Sequence, residues 1–253
     1  MIMVKSTDSR SLAPLAAAIF LVLPALTWSG APTLAGSIST PAGYQRKICA
    51  DGSYSRFLQT LPVKKDNRIA AFNGSFIRDF NVFAVVDLPL LFKQDLEQCA
   101  DFAMRLWAEY HKRANILDRL YLFDYNGKRK SFTGSGQSYA TFLKRSFANA
   151  NSYSLKRGSE PVASESDLVP GDMLIQNENG GIGHVSVVMD VCEASGKPRL
   201  YLIGFSFMPA QEFHLEQATA GRGVGGWFTL EGYKDFLDEI LPFGPPVLRR
   251  FGP

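Results

Sequence analysis

Three stretches in the second half of the chain, VPGDMLIQ (Val169–Gln176), HVSVVMDV (His184–Val191) and LYLIGFSF (Leu200–Phe207), decide the fold. Each is short, apolar and rich in β-branched or aromatic side chains, and each is bounded by turn chemistry. Val169-Pro170-Gly171-Asp172 is a turn in which Pro presets one φ and Gly permits the positive φ that follows. Asn177 to Gly183 is a polar, glycine-rich loop, and Ser195-Gly196-Lys197-Pro198 is a second turn. The spacing predicts strands over Met173–Gln176, His184–Val191 and Leu200–Phe207, joined as an antiparallel meander.

Upstream the period changes to that of helices. Leu96, Cys99, Ala100, Ala103, Leu106, Trp107 and Tyr110 fall on one stripe of a helix running from Asp95 to about Ala114. Asp95 is its expected N-cap, with Gln98 three residues later completing a capping box. Tyr54–Leu61 and Tyr139–Ala148 also read as helices, and Val82–Val86 as a strand. Helices first and a meander afterwards indicate an α+β domain, with N-terminal helices packed on an antiparallel sheet.

The chain has 253 residues, 46% of them apolar and 20% charged, with a formal net charge of +3. That is an ordinary globular mixture, which excludes a disordered tail, a collagen-like repeat and a basic nucleic-acid surface. Three cysteines are too few for a disulfide scaffold. At the N-terminus, Lys5 and Arg10 precede the apolar run Leu12–Trp28, and small residues follow. This is the pattern of an export signal. The reading is residues 1–35 as signal peptide, 36–43 as flexible leader and 44–253 as one domain, secreted or periplasmic. No stable membrane insertion is expected after cleavage.

Cys99 and His184 are the candidate chemistry. Cys99 falls in the first turn of the strongest helix, where the helix dipole favours thiolate, the nucleophilic form. His184 opens a strand directly after Gly183, at a sheet rim a substrate can reach. A helix Cys followed by a His on a later antiparallel strand is the layout of papain-like cysteine hydrolases. The run "DLVPGDMLIQ…GIGHVSVVMDV" resembles the Pro-Gly-Asp and Gly-His strands of NlpC- and CHAP-type peptidoglycan amidases. That resemblance implies a papain-like core in which Cys99 attacks an amide and His184 serves as base and then acid. Gln98 or the Cys99 backbone N–H would stabilise the oxyanion, and Gly183 and Trp227 would help bind substrate. The expected partner is peptidoglycan or a related peptide.

A wider likeness rests on five blocks in order: "SRFLQTLPVK", "DLEQCADFAMRLWAEY", "FLKRSFANANSYSL", "VPGDMLIQ…GHVSVVMDV" and "FSFMPAQEFHL". From Tyr44 to Trp227 the chain resembles an exported bacterial family known only as a domain of unknown function. In that family a Gln precedes the Ser of the last block, whereas this chain has Phe205, which cannot orient an imidazole. Ser206, Gln211 or Glu212 is the substitute that a triad would require. The departure leaves a second reading open, an inactive papain-like binding protein, and a third, a structural envelope protein.

Cys49 and Cys192 can pair in an oxidising compartment or remain reduced, and the sequence leaves this open. No cofactor is expected: Gly221–Gly226 (GRGVGG) lacks the strand and the Lys-Ser/Thr of a phosphate loop. Asp172 and Asp190 lack the clustered partners of a metal site.

Overall fold

A computed structural model describes residues 32–178 and 180–252. Seven helices are present among them: α1 (Leu34–Ser37), α2 (Tyr54–Gln59), α3 (Cys99–Arg113), α4 (Phe132–Ser135), α5 (Tyr139–Asn149), α6 (Ser152–Gly158) and α7 (Leu230–Ile240). The main sheet has ten strands: β1 (Gln45–Arg46), β2 (Val82–Val85), β3 (Glu160–Pro161), β4 (Met173–Gln176), β5 (His184–Glu193), β6 (Leu200–Phe205), β7 (His214–Glu216), β8 (Gly223–Val224), β9 (Trp227–Phe228) and β10 (Val247–Arg250). Its path runs β8-β9-β6-β5-β4-β10-β3, with β1 added to β5, and β7 joining β6 to β2. Every one of these pairings is antiparallel. The expected α+β class and the β4–β5–β6 meander are therefore present.

β5 is the central strand, buried on both sides from His184 to Cys192. Val185, Val187 and Met189 pack with α3 in one hydrophobic cluster. Val188 and Val191 belong to the other, with Phe205 of β6 and Tyr233, Phe236 and Leu237 of α7. Strict alternation would put Val188 and Val191 on opposite faces. A register shift between Leu202 and Ile203, opposite Val188 and Asp190, breaks that alternation. Asp190 thereby meets the α2 side, where it accepts hydrogen bonds from Arg46 Nε (2.5 Å) and Gln59 Nε2 (2.8 Å).

The α7 layer closes the sheet's second face. Thr229 caps α7 by accepting from the Gly232 N–H, and Leu230, Tyr233, Phe236 and Leu237 form its buried stripe. Tyr233 donates to Ser186 Oγ of β5 at 2.7 Å, which satisfies two buried hydroxyls inside an apolar layer.

The N-terminal boundary differs from the expected one. The export signal, as far as residue 31, lies outside the described residues, but residues 32–43 belong to the packed body. Leu34 is fully buried in the α3-side core, and Ile38 is buried beside it. The Leu34 N–H donates to Leu61 O (2.8 Å) and the Val63 N–H to Pro32 O (3.0 Å). Within 36–43, expected as a flexible leader, Ile38 is buried beside Leu34 and its neighbours on either side are exposed. Cleavage after Ala35 would remove Leu34 from that core.

Candidate functional site

The start of α3 is fixed by a dense set of bonds. Gln98, rather than Asp95, is the N-cap. Asp101 at the third helical position accepts the Gln98 N–H at 3.2 Å. Asp95 instead reaches across to the chain after β6: its Oδ1 accepts the Ala210 N–H at 2.6 Å and Gln98 Nε2 at 3.0 Å. Glu97 is buried and paired with Arg105 (2.8 Å), and it also accepts the Leu91 and Phe92 N–H groups. Ser206 Oγ lies 3.0 Å from Glu97 O and 2.7 Å from Gln211 O, so the end of β6 is stitched to the helix entrance. Ser206 therefore has a structural task and no bond to His184.

Beside this entrance lies a cleft of about 400 Å³. Gln98, Cys99 and Asp101 form its helix wall, Ile182 and Gly183 its loop wall, and Met208 its rim. Gly183 is there because no side chain fits: an added Cβ would collide with Gln176 O and come within 2.6 Å of Ser152 Oγ. Three of the residues expected at a site, Gln98, Cys99 and Gly183, thus converge.

Cys99 is 8% exposed, and burial pushes its thiol up to about 12. The Val185 N–H, which donates to the sulfur, pulls the other way, and Asp101 adds to the rise. From the reference value of 9.0 this rise is worth about 4 kcal/mol, whereas a helix terminus supplies at most about 2 kcal/mol. Burial wins, and the expectation of a thiolate at Cys99 is corrected. Burial also drives the Asp101 carboxyl well above its usual range, with the neighbouring Glu97 charge adding to the effect.

His184 is on the other side of the sheet. Its ring meets Phe205 edge-on at 4.9 Å and Phe207 at 5.6 Å, in the layer that α7 covers. It is fully buried and neither ring nitrogen has a hydrogen-bond partner. Burial, aided by the nearby His214, pushes its pKa down to about 3, so the ring is neutral. The next residue, Val185, is the one whose backbone touches Cys99. Strand alternation therefore places the imidazole behind the sheet as seen from the sulfur. The Cys99–His184 dyad expected from the sequence is not assembled.

The remaining candidates also lie apart. Gln211 is buried with both carboxamide atoms unpartnered, and it lines a different pocket together with Phe80 and Phe207. Trp227 is fully buried, donates from Nε1 to Ser39 O (3.1 Å) and does not border the α3 cleft. Cys49 and Cys192 are free thiols, the first half-buried and the second buried. Among the described residues no three His, Cys, Asp or Glu side chains are grouped as metal ligands would be, and no helix is long and apolar enough to cross a membrane.

Asp101, Ile182 and Met208 are at the cleft although the sequence did not single them out. Met208 had a signal, its place in the FSFMPAQ block; Asp101 had one in its offset of three from the true N-cap.

No curated protein and no solved structure matches the chain. One family does, over residues 34–134 and 125–240, which together span most of the chain and contain every wall of the cleft. The chain belongs to the family described as Domain of unknown function (4846).

Proposed function

We propose that this protein is an exported envelope protein that binds a peptide-like segment in the α3 cleft without cleaving it, on a papain-like scaffold. The observation that carries the reading is the separation of Cys99 from His184 by the sheet. A cysteine hydrolase needs its base within hydrogen-bond reach of the nucleophile. Here the thiol is protonated and the imidazole is enclosed by aromatic rings. What the cleft retains suits binding. Gln98 and Asn151 border it as half-buried polar side chains, and Ile182, 69% exposed, and Met208, 37% exposed, offer apolar contact. Wall peptide is the partner that export would bring to it.

A second reading, the amide hydrolase, keeps one support: Cys99 borders a cleft at a helix start. It requires His184 to leave its pocket and reach the opposite face. The test uses muropeptides with wild-type protein and Cys99→Ser. Saturable binding by both, with no new product in mass spectrometry, supports the binding protein. Cleavage that Cys99→Ser abolishes would establish the hydrolase, and failure of muropeptides to bind would remove both readings.

A further inference from the structure

The chain that leaves β6, Phe207-Met208-Pro209, is a wall shared between two hollows. Met208 borders the α3 cleft on one side and a pocket of about 200 Å³ on the other. The second pocket is walled by Phe80, Phe207, Pro209 and Leu241, with Ile240 on its rim at 43% exposure. One buried polar side chain lines it, Gln211, which is 1% exposed.

Gln211 is held from behind. Its carbonyl takes the Ser206 hydroxyl at 2.7 Å, and its backbone bridges Ala71. Its carboxamide oxygen and nitrogen, by contrast, have no partner. A buried donor and a buried acceptor left unpaired are costly, and a bound group that supplies both missing bonds is one way such a side chain is kept. A carboxamide presents its N–H and C=O side by side. The group that answers both at once offers the same pair in reverse, as a primary amide or a lactam does. A trans peptide bond cannot, because its N–H and C=O point in opposite directions. A carboxylate would set its charge against the Gln211 oxygen and near Asp79, an exposed acid that also lines the pocket.

We infer that this pocket is a second ligand site, taking a neutral primary carboxamide or lactam with an apolar body, and that Gln211 is its recognition residue. The site stands independently of the reading given to the α3 cleft.

Phenylacetamide is the probe, with phenylacetate and N,N-dimethylphenylacetamide as its controls. Titration into ¹⁵N-labelled protein should shift the Gln211 side-chain amide resonances saturably with the primary amide. The two controls should bind at least tenfold more weakly, the loss of one good hydrogen bond. Gln211→Leu should bind phenylacetamide and N,N-dimethylphenylacetamide alike, while phenylacetate stays disfavoured by Asp79. Should that variant not fold, Ile240→Asp on the rim serves instead, and it should weaken phenylacetamide while leaving the free protein's Gln211 resonances in place. Equal affinity for the three probes, no saturable shift at Gln211, or indifference to Ile240→Asp would overturn the assignment.

Discussion

Replacing His184 by Leu should make the protein less sensitive to acid. The imidazole is neutral in the fold, with its pKa pushed from 6.5 down to about 3 by burial first and by His214 second. In the unfolded chain it regains its ordinary value and takes up a proton that the folded form refuses. Its contribution to stability is therefore complete above pH 6.5 and is lost progressively as the pH falls towards 3. Between pH 7 and pH 5 this one ring should cost the wild type about 2 kcal/mol, from linkage of the two pKa values. His184→Leu removes that loss, and it also removes two buried ring nitrogens that have no partner. At pH 7 the variant should be at least as stable as the wild type to within about 1 kcal/mol, since relief of unpaired polar atoms offsets the cost of fitting a branched chain where a planar ring was packed. His214 and its neighbour Glu216 (3.3 Å) remain in both proteins, so most of their own titration cancels in the comparison. Urea unfolding of wild type and variant at pH 7 and pH 5 measures the difference. Equal losses of stability on acidification would mean that His184 is solvated or hydrogen-bonded in solution, and the argument that it lies behind the sheet would fall with it.

Leu34→Ala should destabilise by about 2–5 kcal/mol, as for other fully buried leucines; a leader that is not part of the fold would show no change in thermal midpoint. Arg105→Ala strands the buried Glu97 carboxylate and should cost about 3–5 kcal/mol by chemical denaturation, whereas a loss below 1 kcal/mol would mean that Glu97 takes up a proton or finds water. Iodoacetamide at pH 8 should modify Cys99 in the folded protein about a thousandfold more slowly than a free cysteine, because the rise from 9.0 to about 12 removes that share of thiolate; rapid, selective labelling of Cys99 below pH 8, mapped by peptide mass, would restore the case for a nucleophile.

The regular elements were legible where apolar spacing was long and punctuated. Met173–Gln176 is a strand with the bounds its turn signals gave, and the helices over 54–59, 99–113 and 139–149 occupy the stretches their stripes marked. The α3 start was misplaced because Asp95 and Gln98 have the spacing of a capping box. Asp95 is drawn away by the Ala210 N–H, a partner 115 positions distant that no local pattern reveals. The C-terminal α7 stripe, Leu230, Tyr233, Phe236 and Leu237, was present in the sequence behind a Thr cap. Its consequence, a second layer that roofs His184, appears only when the sheet is seen to need cover on both faces.

The site shows the same division. Gln98, Cys99 and Gly183 border one cleft, because a helix start and the loop before a packed strand meet at one end of a sheet. His184 was misassigned by one residue's worth of alternation, since side chains on a strand change face at every step. By itself, then, the sequence determined the α+β class and the order of helices before meander, both of which follow from local periodicity and turn chemistry. Only the tertiary structure decided on which side of the sheet the imidazole lies and how far burial overrides the helix dipole at Cys99. Both depend on what packs above and below β5, and that is set by contacts far apart in the chain.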